Sequence, residues 1–185
     1  WQINNHLQLR SLTGYRDLDS EFARDGDGSP HRISAFVDKL EQDQFSQEFQ
    51  LLGDSFDGSL NWILGAYYFS EDGENPNTLD FTVSNFLSGG EFDNESYAAF
   101  AQGSYDFNDD WTLTVGVRYT DETKKFTPDQ YIIQNYFAGS GHPMLDAPFM
   151  QAGERILPYL EKKVDADETT PMVNLRWQVT DDLMT

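Results

Sequence analysis

Five carboxylates crowd one short stretch of the chain: Asp17, Asp19, Glu21, Asp25 and Asp27, with Gly26 and Gly28 among them. Hard oxygen ligands at that density suit Ca²⁺. The spacing departs from an EF-hand loop, which needs an acidic residue at its twelfth position. A solvated acidic loop with glycines for its turns explains the same residues. His6, His31 and His142 stand far apart, each without a second His at metal-ligand spacing, so a metal site would need all three to converge. His31 and His142 each adjoin a proline. No metal and no cofactor is therefore expected. Ser, His and Asp are all present, but the chain holds no G-x-S-x-G elbow, G-x-G-x-x-G turn or P-loop, and it reads as a non-enzyme. Aromatic residues offer another chemistry. Phe81, Phe86, Phe92, Tyr131, Tyr136, Phe137 and Phe149 are candidates either to stack on a ligand or to pack loops against one another.

What must position these residues is a chain of 185 residues with 12 basic and 32 acidic side chains, a net charge of −20, and no cysteine. A disulfide-built module and a Cys-ligated metal site are excluded. Nucleic acid is not an expected partner, because neutralising phosphates takes clustered Lys and Arg. The longest apolar run, Trp62 to Phe69, is far short of the roughly 20 residues of a spanning helix. Disorder fits the charge but not 4 Trp, 9 Tyr and 14 Phe. A transmembrane β-strand stays open, since it needs only about 9–11 residues, of which alternate ones face lipid.

Period-two alternation is clearest from Trp111 to Thr120. Trp111, Leu113, Val115, Val117 and Tyr119 take one face, and Thr112, Thr114, Gly116, Arg118 and Thr120 the other. The preceding run SYAAFAQGSYDF reads as its antiparallel partner through the turn Asn108-Asp109-Asp110. Leu60 to Phe69 alternates Leu60, Trp62, Leu64, Ala66 and Tyr68 against Asn61, Ile63, Gly65 and Tyr67. Gln44 to Leu51 precedes it, joined by a turn over Gly53 to Gly58. Val173, Leu175, Trp177 and Val179 form a further apolar face before a turn at Thr180-Asp181-Asp182, and a fainter strand runs from His6 to Tyr15.

The expectation is an all-β, antiparallel up-and-down meander of about six strands. Short turns alternate with three long connections, roughly Arg16–Glu41, Ser70–Asn94 and Lys125–Asp167. Long loops on one side and short turns on the other are the asymmetry of outer-membrane barrels. Trp62, Tyr68, Trp111, Tyr119 and Trp177 suit the aromatic girdles of such a barrel, and the charged Glu48, Arg118 and Arg176 fall on the opposite, lumen-facing side. A soluble β-sandwich shares the alternation and stays an alternative. A small complete barrel is a weaker one, because six strands fall below the eight of the smallest known. The stretch QAGERILPYLEKK suggests a short amphipathic helix limited by Pro158. The net acidity disfavours capture of bare anions by the loops. Both ends read as cuts within a longer barrel.

These runs resemble a known family. SYAAFAQGSYDFNDDWTLTVGVRYTDETKKF is similar to the mid-barrel strand pair of TonB-dependent receptors. FSQEFQL with LNWILGAYYF resembles the hairpin before it, LQLRSLTGYRDLD the strand entering the first loop, and NLRWQVTDDLMT the strand and turn that follow. The resemblance implies that residues 1–185 are part of a 22-stranded outer-membrane barrel, without its plug, TonB box or signal peptide. It further implies uptake of a scarce small molecule (a ferric siderophore, cobalamin, haem or a glycan) in a Gram-negative bacterium. The TonB–ExbB–ExbD system would drive uptake through the N-terminal part, with outer-membrane lipid around the wall. Phe81, Phe86, Phe92, Tyr131, Tyr136 and Phe137 are then the candidate ligand-facing residues. The alternative is a secreted β-sandwich binding module, for carbohydrate for example, using the same aromatics.

Overall fold

Residue alternation becomes a single antiparallel sheet. A computed structural model gives the fold and describes residues 1–31, 33–180 and 183–184. The strands are β1 (Gln2–Asn4), β2 (Leu7–Asp25), β3 (Ser34–Ser55), β4 (Leu60–Glu74), β5 (Asn77–Phe81), β6 (Ser84–Asp106), β7 (Trp111–Asn135), β8 (Lys162–Thr180) and β9 (Leu183–Met184). They pair in the order β1-β2-β3-β4-β6-β7-β8-β9, and β5 pairs with both β3 and β6 above the end of β4. Every pairing is antiparallel, so the chain is an up-and-down meander. Asp181 and Asp182, in the expected turn after β8, lie outside the described residues.

Turn chemistry fixes the short ends. Phe56 and Asp57 take φ of 56° and 55°, and Gly58 takes 91°, closing β3 onto β4. Positive φ at consecutive central residues is the twist a tight hairpin needs. Asn108 accepts from the backbone N–H of Asp110 and Trp111 and so closes β6 onto β7.

The strands are far longer than the alternation predicts. Much of the three expected long loops is strand: β2 continues to Asp25, β3 starts at Ser34, β6 starts at Ser84, β7 runs to Asn135, and β8 starts at Lys162. The expected helix over residues 151–163 does not form. A single 3-10 turn, Pro148–Met150, precedes it. Arg155 then bridges to Tyr131 on the free edge of β7, with Ile156 donating to the carbonyl of Gln130. Pro158 and the pull of an unpaired strand edge outweigh the weak amphipathic pattern.

Apolar residues directly opposite one another make one continuous face. Across the sheet, Leu51 faces Leu64, Leu64 faces Ala101, Ala101 faces Val117, and Val115 faces Val173. No second layer covers this face among the described residues. Leu64 is 48% exposed, Val115 48% and Leu175 54%, which rules out the interior of a β-sandwich. Of the buried apolar residues, Ala98 lies within the sheet between Tyr67 and Thr120, and Ile132 and Ala147 sit where the third connection packs on the upper sheet.

Candidate functional site

The polar face holds the expected lumenal residues. Glu48 faces Tyr67, Phe100 faces Arg118, and Thr112 faces Arg176. The Arg118 guanidinium lies 5.5 Å from the ring centre of Tyr67 and 5.7 Å from that of Phe100, and its Nε donates to Thr120 Oγ1 at 3.1 Å. Phe100 occupies the space beside Gly65, where a Cβ would meet its ring at 2.1 Å. Gln50 donates to Glu48, and Arg10 reaches Gln50 at 3.4 Å. Arg176 donates to Thr112 Oγ1 at 2.8 Å. The polar face is therefore a hydrogen-bonded wall, on which Arg176 lies 4.0 Å from Asp106 and Lys124 3.3 Å from Glu122.

Higher up, the aromatic candidates part company. By strand alternation and register, Phe81, Phe86 and Phe92 lie on the polar face with Arg118. Phe81 packs against Phe36 and Phe86 at centroid distances of 5.7 and 6.1 Å, and the Arg24 guanidinium sits 4.9 Å from the Phe36 ring centre. Phe92 faces Phe126. Tyr131 lies on the other face, beneath Arg155 at 5.8 Å. Tyr136 donates to Asp80 Oδ1 at 2.9 Å, and Phe137 meets His142 edge-on at 6.4 Å. Phe36 and Phe126, which the sequence reading left out, join this set through cross-strand pairing. Their signal was alternation continuing past the expected strand ends.

Carboxylates in this region fasten loops. Glu71 accepts from the side-chain amides of Gln42, Gln44 and Asn94. Burial works to raise its pKa, but those three amides together hold it below the ordinary glutamate value. Asp27 accepts from the N–H of Ser29 and Ser34 at the tip between β2 and β3. Hydrogen bonds from Ser29 and Ser34 bring its pKa down to about 2. Asp146 accepts from the N–H of Gly139 and Gly141, and these bonds lower its pKa. The acidic stretch of the first connection is thus not a ligand cage: Asp17, Asp19, Glu21 and Asp25 alternate along one face of β2, and Asp27 caps a turn. His6 contacts Asp54 at 2.6 Å, and His142 Nδ1 accepts from the N–H of Leu145. Among the described residues no group of three or more His, Cys, Asp or Glu is arranged to hold a metal ion.

The opposite face carries two aromatic bands. Below are Trp62, Tyr105, Trp111 and Trp177, the last two stacked at 5.2 Å and 5°. Above are Tyr15, Phe45, Tyr68, Tyr97 and Tyr119, with Tyr68 and Tyr97 at 5.0 Å. Beyond the upper band this same face turns acidic. Asp17, Asp43, Asp72 and Asp93 stand directly opposite one another across β2, β3, β4 and β6, and the row ends on Lys125. The next row is Asp19, Glu41, Glu74 and Glu91. Lys125 Nζ meets Asp93 at 2.9 Å, and that hydrogen bond raises its pKa. The segment from residue 155 onward crosses here, with Arg155 meeting Asp129 at 2.7 Å and Tyr159 donating to Glu91 at 2.8 Å.

A single antiparallel sheet with an apolar stretch between two aromatic bands on one side, and a hydrogen-bonded polar side opposite, is the wall of a transmembrane β-barrel. The model of the TonB-dependent receptor-like β-barrel family matches residues 1–185, and the chain belongs to that family. In fold it is similar to the ferric yersiniabactin uptake receptor FyuA from Yersinia pestis, with a TM-score of 0.75 and 12% identity. The match covers 98% of this chain and 25% of that receptor, so the chain spans about a quarter of its length. A search of curated proteins found no match.

Proposed function

We propose that residues 1–185 supply part of the barrel wall and the outward-projecting strands of an outer-membrane receptor. This receptor takes up a scarce small molecule, a ferric siderophore first among the candidates, with energy delivered through TonB, ExbB and ExbD. Family membership supports outer-membrane location and TonB-dependent uptake in general. The observation that carries the reading is the uncovered apolar face between two aromatic bands, which needs lipid against it. Cobalamin, haem and glycans are the other ligand classes. No catalysis is assigned to the chain.

The cluster Phe36, Phe81 and Phe86 on the polar face, with Phe92 and Phe126 below it, is the ligand-facing surface in this reading. Tyr131 and Tyr136 serve loop packing instead, through Arg155 and Asp80. The acid excess does not count against an anionic ligand, because the carboxylate rows lie on the lipid side of the strands and not on the lumenal side. The test is growth of a deletion strain, complemented by the receptor gene, on single iron, cobalamin, haem or glycan sources. Rescue on one source, lost with Phe86→Ala and Phe92→Ala together, supports the reading. A protein that fractionates as soluble refutes it.

A further inference from the structure

We infer that the connection between β7 and β8 is a fixed clamp, which grips the tips of β6 and β7 from both faces and does not lift as a lid for cargo. This rests on the reading of the chain as receptor wall. Residues 136–151 supply the grip on the polar face. Ser84 and Asn135 stand opposite each other there, as Phe86 and Ile132 do below them. Asn135 Nδ2 donates to the carbonyl of Leu145 at 2.6 Å, and its Oδ1 accepts from the N–H of Phe137 at 2.9 Å. Ser84 and Ile132 are fully buried and Asn135 nearly so. A bare sheet face does not hide such side chains, so the connection is their cover. The cover is braced from within. Asp146 accepts from the N–H of Gly139 and Gly141, and Gln151 donates to Asp146 and to the carbonyl of Ala147.

Residues 153–159 supply the grip on the edge and on the opposite face. Ile132 donates its N–H to the carbonyl of Glu154 at 3.0 Å, and its carbonyl accepts from Gly153 at 2.8 Å. Ile156 donates to the carbonyl of Gln130 at 3.0 Å. Arg155 meets Asp129 at 2.7 Å, and its guanidinium lies 5.8 Å from the ring centre of Tyr131 and 4.7 Å from that of Tyr159. Tyr159 in turn donates to Glu91 two strands in from that edge. Ile132 is thus held twice, by its side chain beneath one half of the connection and by its backbone against the other. Lifting the first half bares Ile132 and the amide of Asn135, and lifting the second strips a strand edge of its partners. A lid needs a weakly bonded segment to hinge on. Here both halves are bonded to the same two strand tips.

The experiment is hydrogen–deuterium exchange of the complete receptor in lipid vesicles, without cargo, resolved to single residues by fragmentation in the mass spectrometer. Opening has to uncover Ile132, so the amides of Ile132, Gly153 and Ile156 should exchange about 10- to 150-fold slower than in the same peptides free in solution. Asn135→Ala removes the bond on the polar face, and Arg155→Ala the contacts on the opposite face. Each should speed exchange at Gly153 and Ile156 and leave Val115 and Val117, in the membrane part of β7, as they were. Exchange at the free-peptide rate in the unaltered receptor overturns the clamp, and so does unaltered exchange in both variants. Heat-modifiable migration of the same samples reports separately on the barrel. A folded barrel with fast exchange at these amides sinks only the clamp, whereas the absence of a barrel sinks the receptor reading itself.

Discussion

Placing an arginine at Val115 measures the lipid reading directly. Val115 lies midway between Trp111 and Tyr119 on β7, four residues from each. At about 3.3 Å per residue the two aromatic bands are about 26 Å apart along the strand, and a tilt of about 40° makes that about 20 Å across the bilayer. Val115 is thus about 10 Å from either interface, too deep for the guanidinium to escape by snorkelling. Its cross-strand neighbours are Gly103 and Val173, which offer no polar group. Val115→Arg should cost about 2–4 kcal/mol, which is about 30- to 900-fold in the folding equilibrium. Asn174→Arg stands at the same depth on the polar face and should cost well under about 1 kcal/mol. Thr169→Arg faces Tyr119 at the upper band and should cost about 0–1 kcal/mol. The assay is guanidinium unfolding of the receptor in lipid vesicles, followed by tryptophan fluorescence and heat-modifiable migration. Equal costs at Val115 and Asn174, or none at Val115, would refute the assignment of this face to lipid.

Three further outcomes follow from the geometry. Asp72→Asn relieves like charges on both cross-strand sides and should stabilise the receptor by about 0.2–1 kcal/mol in low salt, with the gain shrinking as salt is added. Asp27, held near 2 by its hydrogen bonds, stabilises the β2–β3 tip above its unfolded value of about 3.9. Acidification through about pH 2 should release that contribution, seen as faster amide exchange at Ser29 and Ser34, and Asp27→Asn should flatten the dependence. Gly65→Val puts side-chain atoms where the Phe100 ring lies, so it should displace both Phe100 and Arg118 and lower the thermal midpoint, whereas Gly58→Ala should act only through its φ of 91°.

The membrane part of each strand was readable from alternation alone. The predicted partner runs do pair, with Tyr105 opposite Leu113 and Ala101 opposite Val117, and the faces are those expected. The strand extensions were not read, for a physical reason. Past the upper band, the positions of the apolar face become acidic while those of the polar face keep apolar residues. On β2, Asp17, Asp19 and Glu21 alternate with Leu18, Ser20 and Phe22. On β6, Glu91 and Asp93 bracket Phe92. The period of two persists but its phase inverts, and an inverted phase looks like the end of a strand. Tyr15, Phe45 and Tyr97 in the upper band were left out of the expected girdle, because each meets its neighbours only across strands. Likewise, the place of Arg118 on the polar face was legible, but its ring contacts depend on Gly65 two strands away.

The strand that reaches Tyr119 at the interface keeps going for sixteen more residues, to Asn135. At about 3.3 Å each, that is a fence about 50 Å long, measured along its slats. One flank of the slats is set with carboxylates and the other with aromatic rings, so neighbouring positions in the chain meet opposite surroundings, and either flank can change its side chains while the backbone ladder between them stays intact.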